Sequence, residues 1–493
     1  MTLSEGFGDM FFNRICGFVT LVCLSQIFAQ STSGAQTTSS TATTPCVEDA
    51  ERPHCDVHGL FNRLAGADSI FDELKNRECG DLTYSVGGEL RYRFMNERGR
   101  LRPAGGDAKY SLWRFTPYLK MQYGEHLGGF VEGIDASAFT QGSTPYTPVG
   151  IDVNRMDFLR YYAELNLGDV GNGNLKYRYG RQFLKYGGQR LLSPLGWSNT
   201  YRNFEGHKFL YAGSDWDVDA FMTKSVNAAA GGSGFSPIAL DSADEDRWMS
   251  GVYSTYKGIE GGAVDLYWLY FNERNGSTTL MDGERHTIGS RYSGQQAISE
   301  CGEVSGTWAW EFEGAYQFGK DQFGSATNRD VSAGMASATI GYTFNEVPWS
   351  PGIKGFYYWG SGDSDPTTGT INTFYTMYPL GHAYWGLIDN FNGVNLQDVG
   401  FQVSARPHEK FTGAVAYHAF TKANTGDNVY NIIGVPIASA AASEIGQEVD
   451  LVGTLALSPN FNIQAGYFWF FYDDALPTRT DARQFYLQTS WKF

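Results

Sequence analysis

The 493-residue chain carries a net charge of −16. No basic stripe offsets that charge, which excludes a nucleic-acid partner. Aromatic residues make up 15% of the chain and charged residues only 18%, with 60 Gly, 30 Tyr and 34 Phe. That balance departs from a soluble enzyme and suits a protein with aromatic girdles and many turns.

In chain order, export comes first. Asn13 and Arg14 precede an apolar run over residues 15–29, followed by small polar residues, which is the layout of a secretory signal peptide. Cleavage fits after Ala29 or after Ala35; Ser33 and Ala35 fill both small positions and favour the second, so residues 1–35 are read as the signal. Cys23 follows Leu21 and Val22, where a lipid-modified cysteine needs a small neighbour, so a lipoprotein is not expected. No other stretch is apolar for the roughly eighteen residues that a membrane-spanning helix needs. Residues 36–81 read as an N-terminal extension. It is Ser/Thr-rich at first, then carries Leu60, Phe61, Leu64, Ile70, Phe71 and Leu74 at near-helical spacing, which predicts a short helical hairpin. Once the signal is removed, Cys46, Cys55, Cys79 and Cys301 remain, an even number suited to an oxidising compartment; their pairing cannot be read from spacing.

From Thr83 the pattern changes to period two. Tyr84, Val86, Leu90, Tyr92 and Phe94 oppose Glu89, Arg91 and Arg93; Trp113, Phe115, Leu119 and Met121 oppose Arg114, Thr116, Lys120 and Gln122. Leu159, Tyr161, Leu165 and Leu167 oppose Arg160, Glu164 and Asn166, and Trp308, Trp310, Phe312 and Tyr316 oppose Glu311, Glu313 and Gln317. In the last strand Phe485, Leu487, Trp491 and Phe493 oppose Gln484, Gln488, Ser490 and Lys492. In the segments before the last, charges keep to one face. About eighteen such segments, divided by Gly/Asn/Asp turns, predict residues 82–493 as a single-chain, all-β, transmembrane antiparallel barrel with a wet lumen and a lipid-facing exterior. A closing strand on an aromatic residue, Phe493, fits the same reading. Long loops are expected over 142–154, 228–246, 363–395 and 422–443, which are rich in Gly, Ser, Thr and Asn.

The inner face sets the chemistry. Early strands lean basic through Arg91, Arg93, Arg114, Lys120, Arg160, Lys176, Arg178 and Arg181, whereas late strands carry Glu448, Asp450, Asn462 and Gln464. Any one of these is as readily a solvated lumen residue as part of a selective path. Catalytic signatures are missing: there is no H-E-x-x-H, no G-x-S-x-G, no phosphate-binding loop and no metal-ligand spacing, so neither a metal nor another cofactor is expected. His207 and His418 leave room for a hydrolase without requiring one.

The stretch from Tyr179 carries a resemblance. Gly180-Arg181-Gln182, Tyr186-Gly187, Arg190-Leu191-Leu192, Trp197-Ser198-Asn199 and Arg202-Asn203-Phe204 are similar to the central signature of the bacterial alginate-export (AlgE-like) outer-membrane barrels. Trp113 to Tyr118, Leu159 to Glu164, Gly360 to Asp363, Tyr378-Pro379 with His382-Ala383-Tyr384, and Ile445 to Leu451 agree in order. The resemblance implies an eighteen-stranded monomeric barrel that exports an anionic polysaccharide through an arginine-lined constriction, with outer-membrane lipid around it and periplasmic export partners below. Arg160 and Arg181 match that basic set. Thr116, Phe183, Trp385, Asn462 and Gln464 stand where further pore arginines are expected, which favours a saccharide or small anion over alginate itself.

The expected pore lining is therefore Arg114, Arg160, Tyr162, Glu164, Arg181, Glu448 and Asp450. Arg114, Arg160 and Arg181 would form a basic cluster with Tyr162 as a stacking face. Arg181 shares the parity of Tyr177, Tyr179 and Phe183, so it turns inward only if a bulge resets its strand. The bland alternative has these arginines merely paired with Glu164, Glu448 or Asp450 across the lumen. At the level of function, the alternatives to a saccharide channel are an outer-membrane hydrolase, a general porin or a loop-bearing surface adhesin.

Overall fold

A computed structural model describes residues 72–101, 107–141, 146, 148–227, 240–274, 283–300, 303–322 and 328–493. The signal, the Ser/Thr-rich stretch and most of the expected helical hairpin lie outside the described residues. What is described before the barrel is a single 3-10 turn at Asp72–Leu74 and a three-residue ribbon, Arg77–Cys79, paired to the first long strand. Cys79 is disulfide-bonded.

Eighteen long strands follow: β1 Leu82–Arg98, β2 Ala108–Tyr123, β3 Leu127–Thr140, β4 Asn154–Val170, β5 Gly173–Gln182, β6 Phe204–Gly213, β7 Trp216–Asn227, β8 Ser242–Ile259, β9 Gly262–Glu273, β10 Gly283–Glu300, β11 Glu303–Asp321, β12 Arg329–Phe344, β13 Gly352–Gly360, β14 Leu396–His408, β15 Phe411–Lys422, β16 Glu444–Ser458, β17 Phe461–Tyr472 and β18 Ala482–Lys492. Each pairs antiparallel with its neighbours in sequence, and β18 returns to β1, from Arg98↔Arg483 to Glu89↔Lys492. The sheet is closed, so it has no edge. A closed sheet satisfies every strand's backbone groups within the chain, which is the condition for crossing a bilayer with strands. Among the described residues no helix is long and apolar enough to cross a membrane.

The alternating pattern lands as expected. Leu165, Leu167, Trp308, Phe312, Tyr316, Phe401, Leu451 and Leu487 are exposed on the outer wall, while Arg91, Arg93, Arg114, Glu313 and Gln317 are buried on the inner one. Leu159 is an exception. Glu132 pairs with Arg160 and Gly133 with Phe158, so a bulge skips Leu159 and turns it inward, where it is 1% exposed against Ile134 and Ala136. The expectation that Leu159 faces outward is corrected by that bulge, and the exposed Phe158 takes its place.

Turns alternate between tight ones and long ones. The short set, such as 124–126, 171–172 and 409–410, lies at the end that also holds the ribbon and Phe493. The long set includes 183–203, 361–395 and 423–443. Two of these do not stay outside. Ile371, Phe374, Trp385, Ile388 and Phe391 of 361–395 are at most 1% exposed, and Leu191 and Leu192 of 183–203 are buried with them. The lumen thus holds an apolar core made by loops, ringed by the polar inner wall.

Phe493 closes the barrel. Its N–H donates to Gly88 O and its carbonyl accepts from Gly88 N, both at 3.0 Å, while Lys75 Nζ also reaches its O at 3.0 Å. Its ring lies 5.9 Å from Phe115 and 5.5 Å from Trp491. Replacing Phe493 with Asp puts a charge among those rings, and the heat-modifiable, folded band on a gel should fall severalfold; an unchanged yield would show that this contact is dispensable for closure.

Candidate functional site

Loops 183–203 and 361–395 meet in the lumen and are joined to each other. Tyr378 N donates to Leu191 O at 3.0 Å, Ser193 N to Tyr378 O at 2.9 Å and Leu380 N to Gln189 O at 2.9 Å, a short parallel bridge inside the barrel. Trp197 stacks on His382 with ring centres 3.6 Å apart, and its Nε1–H donates to Asp389 Oδ2 at 2.9 Å. Arg93 of β1 covers the Trp197 ring at 3.4 Å. Each contact joins one loop to the other or to the wall, and together they make a constriction.

The basic wall holds one side. Arg91 donates to Gly196 O at 3.0 Å, Ser198 O at 2.6 Å and Asn199 Oδ1 at 3.3 Å. Arg114 donates to the same Gly196 O and Ser198 O at 3.2 and 2.9 Å and to Glu89 Oε1 at 2.6 Å. Bent loop backbone exposes carbonyls that no strand partner satisfies, and guanidinium forks supply the missing donors. The acidic wall holds the other side. Glu448 Oε1 accepts from Ile388 N at 2.8 Å and Asp450 Oδ2 from Leu387 N at 3.2 Å. Gly386 lies directly on the Glu448 carboxyl at φ +82°, where a Cβ would sit 2.4 Å from an oxygen. Only glycine lets the backbone pass there.

Below the constriction the wall stays open to the lumen. Arg160, with a quarter of its side chain exposed, bonds to Glu132 Oε2 at 2.6 Å and lies over the Phe130 and Phe183 rings at 4.7 and 4.2 Å. Phe130 stacks on Tyr162 at 5.3 Å, and Arg178 covers the Tyr162 ring at 4.1 Å. Glu164 accepts from Arg178 Nη2 at 2.6 Å and from Lys176 Nζ at 3.2 Å. This belt alternates cation and ring across β3, β4 and β5.

The residues expected to line a pore therefore divide. Arg160, Tyr162 and Glu164 share the open wall. Arg114, Glu448 and Asp450 are at most 2% exposed, covered by the loops that they hold. Arg114 still reaches Arg160 indirectly: it lies 4.2 Å over Tyr201, which packs 5.3 Å from Phe183 beneath Arg160. Arg181 does not join them. Its strand keeps register with Tyr161 and Glu205, whose side belongs to the outer wall, and it bonds to Phe158 O at 2.8 Å and Asp241 O at 2.9 Å. No bulge resets β5 between Tyr177 and Arg181. Sequence reasoning missed Glu132, the carboxylate that actually meets Arg160, although its inward parity in Phe130-Val131-Glu132 was available.

In loop groups, ionisation follows the same contacts. Burial pushes the Asp389 carboxyl up, but His382, Arg100 and the Trp197 N–H outweigh it and hold it below the ordinary carboxylate range. Burial lowers the Arg202 guanidinium to about 10, with Tyr378 and Tyr375 opposing.

The family model for alginate export matches residues 83–489. The chain belongs to the alginate-export family. No curated protein matches the sequence. Among solved structures, OprD from Pseudomonas aeruginosa superposes with a TM-score of 0.56 at 10% identity, covering 83% of this chain and 94% of that one. OccK8 (OprE) and OpdK with vanillate, from the same organism, both reach TM-scores of 0.54 at 13% and 11% identity, each covering 83% of this chain and 98% of the other. At such identities the likeness concerns the fold. Membership of the alginate-export family places the protein in the bacterial outer membrane as a channel, and outer-membrane barrels as a class carry their short turns at the periplasmic end.

The positions where the resemblance leads one to expect arginine are packed or hydrogen-bonded. Phe183 is the platform under Arg160, Thr116 is 3% exposed, and Trp385 is fully buried against Tyr358 at 5.1 Å. Gln464 accepts from Tyr486 OH at 2.9 Å and donates to Thr454. The two histidines that left room for hydrolysis have different partners. His207 meets Tyr177 OH at 2.7 Å in register with the exposed Tyr179, and His418 meets Asp398 at 2.8 Å. Among the described residues no serine or threonine hydroxyl bonds to either ring.

Proposed function

We propose that this channel is a passive conduit for saccharides and small anions, not a hydrolase. The observation that carries the reading is the belt of Arg160, Arg178 and Lys176 around Phe130 and Tyr162 on the open wall. Guanidinium forks pair with carboxylates or sulfates, and flat rings stack on sugar faces. Alginate-export membership supports a saccharide cargo; Thr116, Phe183 and Trp385, where the resemblance leads one to expect arginine, favour a broader one than alginate. The sheet closes on itself, so one chain suffices as the working unit, with periplasmic partners wherever cargo is delivered from inside.

Reversal potential across a planar bilayer tests it. Wild type should prefer anions, and Arg160→Glu, which sets a second carboxylate beside Glu132, should abolish or invert that preference. Cation preference in wild type, unchanged in the variant, would show the belt to be structural. Absence of conductance together with glycan or lipid turnover would support the hydrolase instead.

A further inference from the structure

Most lumen charges are tied to one another: Arg190 to Glu311 and Glu313 at 2.6 and 2.7 Å, Arg291 to Asp265 at 2.9 Å, Lys208 to Asp219 at 2.7 Å. One stretch of wall departs from this. Lys354, Gln402, Ser337 and Thr339 line a cavity of 330 Å³ that runs under the turn holding His382 and Leu387. None of these four side chains makes a hydrogen bond or ion pair to a described residue. Their placement follows from register. Lys354 faces Gln402 across β13 and β14, while Thr339 faces Phe356 and Ser337 faces Tyr358 across β12 and β13. Directly opposed side chains on one face of an antiparallel pair lie within reach of a common ligand.

Rings line the rest of the cavity, two of them on opposite sides. Phe356 rises from the wall between Lys354 and Tyr358, and Tyr384 closes it from the loop with its other face covered by Arg190 at 4.1 Å. Three carboxylates share the lining, each with a partner of its own: Glu311 on Arg190, Asp398 on His418 and Asp450 on Leu387 N, with one oxygen of Asp398 and one of Asp450 left without a hydrogen bond. Lys354 is thus a half-buried ammonium facing donors and acceptors that lack protein partners. None of their polar atoms is sealed from water, so a matching ligand exchanges cavity water for direct hydrogen bonds.

We propose that this cavity is a subsite for a single sugar-sized hydroxy acid. Its carboxylate meets Lys354 Nζ, its hydroxyls meet Gln402, Ser337 and Thr339, and its apolar face lies on Phe356. The volume sits at the small end of ligand pockets, enough for one ring and not for a threaded polymer. The inference rests on the conduit reading and narrows it to a monomeric acid bound on the wall opposite the arginine belt.

Sodium D-glucuronate and D-glucose serve as probes with the full-length barrel. Two readouts separate the subsite from the conduit: current interruption in planar bilayers, and calorimetric binding to the barrel in detergent. Glucuronate should bind wild type about tenfold more tightly than glucose, and Lys354→Met should erase the difference, as loss of one charged hydrogen bond implies. If that variant gives no heat-modifiable band, Gln402→Leu replaces it and should weaken both probes together. Calorimetric binding that depends on Lys354 without any conductance would support the subsite while the conduit fails. Conductance with no glucuronate preference, or a preference that survives Lys354→Met, would overturn the subsite and leave the conduit standing.

Discussion

Replacing Arg91 and Arg114 together with alanine should raise single-channel conductance severalfold while the barrel still folds. The two residues are directly opposed across β1 and β2, an arrangement that like charges disfavour. What offsets the repulsion is the loop: Gly196 O and Ser198 O each accept from both guanidiniums, and Glu89 accepts from Arg114. Each charge-assisted bond contributes on the order of 1.5–3 kcal/mol, so residues 196–199 lose several at once in the double variant. The strands themselves keep their ladders, which is why the effect should fall on the constriction and not on closure. Either single variant should fall between, because removing one arginine also relieves its neighbour. Equal conductance in wild type and double variant would mean that loop 183–203 is held by its contacts to loop 361–395, which Glu448 and Asp450 fix to the opposite wall.

The barrel was legible because its cause is local. A residue's parity along a strand decides between lipid and lumen, so Trp308 and Glu311 could be assigned with no knowledge of their neighbours. Parity also gave the right warning about Arg181, which stays in step with Tyr179. It fails where a backbone irregularity intervenes, and the bulge that turns Leu159 inward leaves no mark in residue type. The constriction was harder still. Residues 183–203 carry Gly, Pro and Ser like any external loop, and nothing local says that Leu191 and Trp197 fold into the lumen. What marks such a loop is its apolar content: Phe374, Trp385, Ile388 and Phe391 would be costly to leave in water. The inward arginines offer the matching signal. A strand pair that places Arg91 against Arg114 needs more acceptors than Glu89 on the wall supplies, and a loop can bring the rest.

Asp389 should make the constriction sensitive to acid. It accepts from Trp197 Nε1–H at 2.9 Å, meets His382 Nδ1 at 3.0 Å, and lies 3.8 Å from Arg100, whose Nη2 also donates to its carbonyl at 3.2 Å. The residue thus ties loop 361–395 to loop 183–203 and to the start of the turn after β1. Its carboxyl is held below the ordinary value, against burial, by His382, Arg100 and Trp197. A depressed carboxylate contributes stability that is complete above the unfolded value, near 4, and is lost as pH falls through the folded one. Wild-type conductance should therefore be flat from pH 7 to about 5 and rise below about 4 as Asp389 takes up a proton. Asp389→Asn keeps the shape and removes the charge, so its conductance at pH 7 should already be raised and its acid response reduced. Channel recordings at pH 7, 5 and 3 for both proteins make the comparison. An Asp389→Asn channel that closes as tightly as wild type at pH 7 and opens as steeply in acid would move the switch to the other carboxylates under the turn, Glu448 and Asp450, and would leave Trp197 held by its ring contacts to His382, Arg93 and Tyr486.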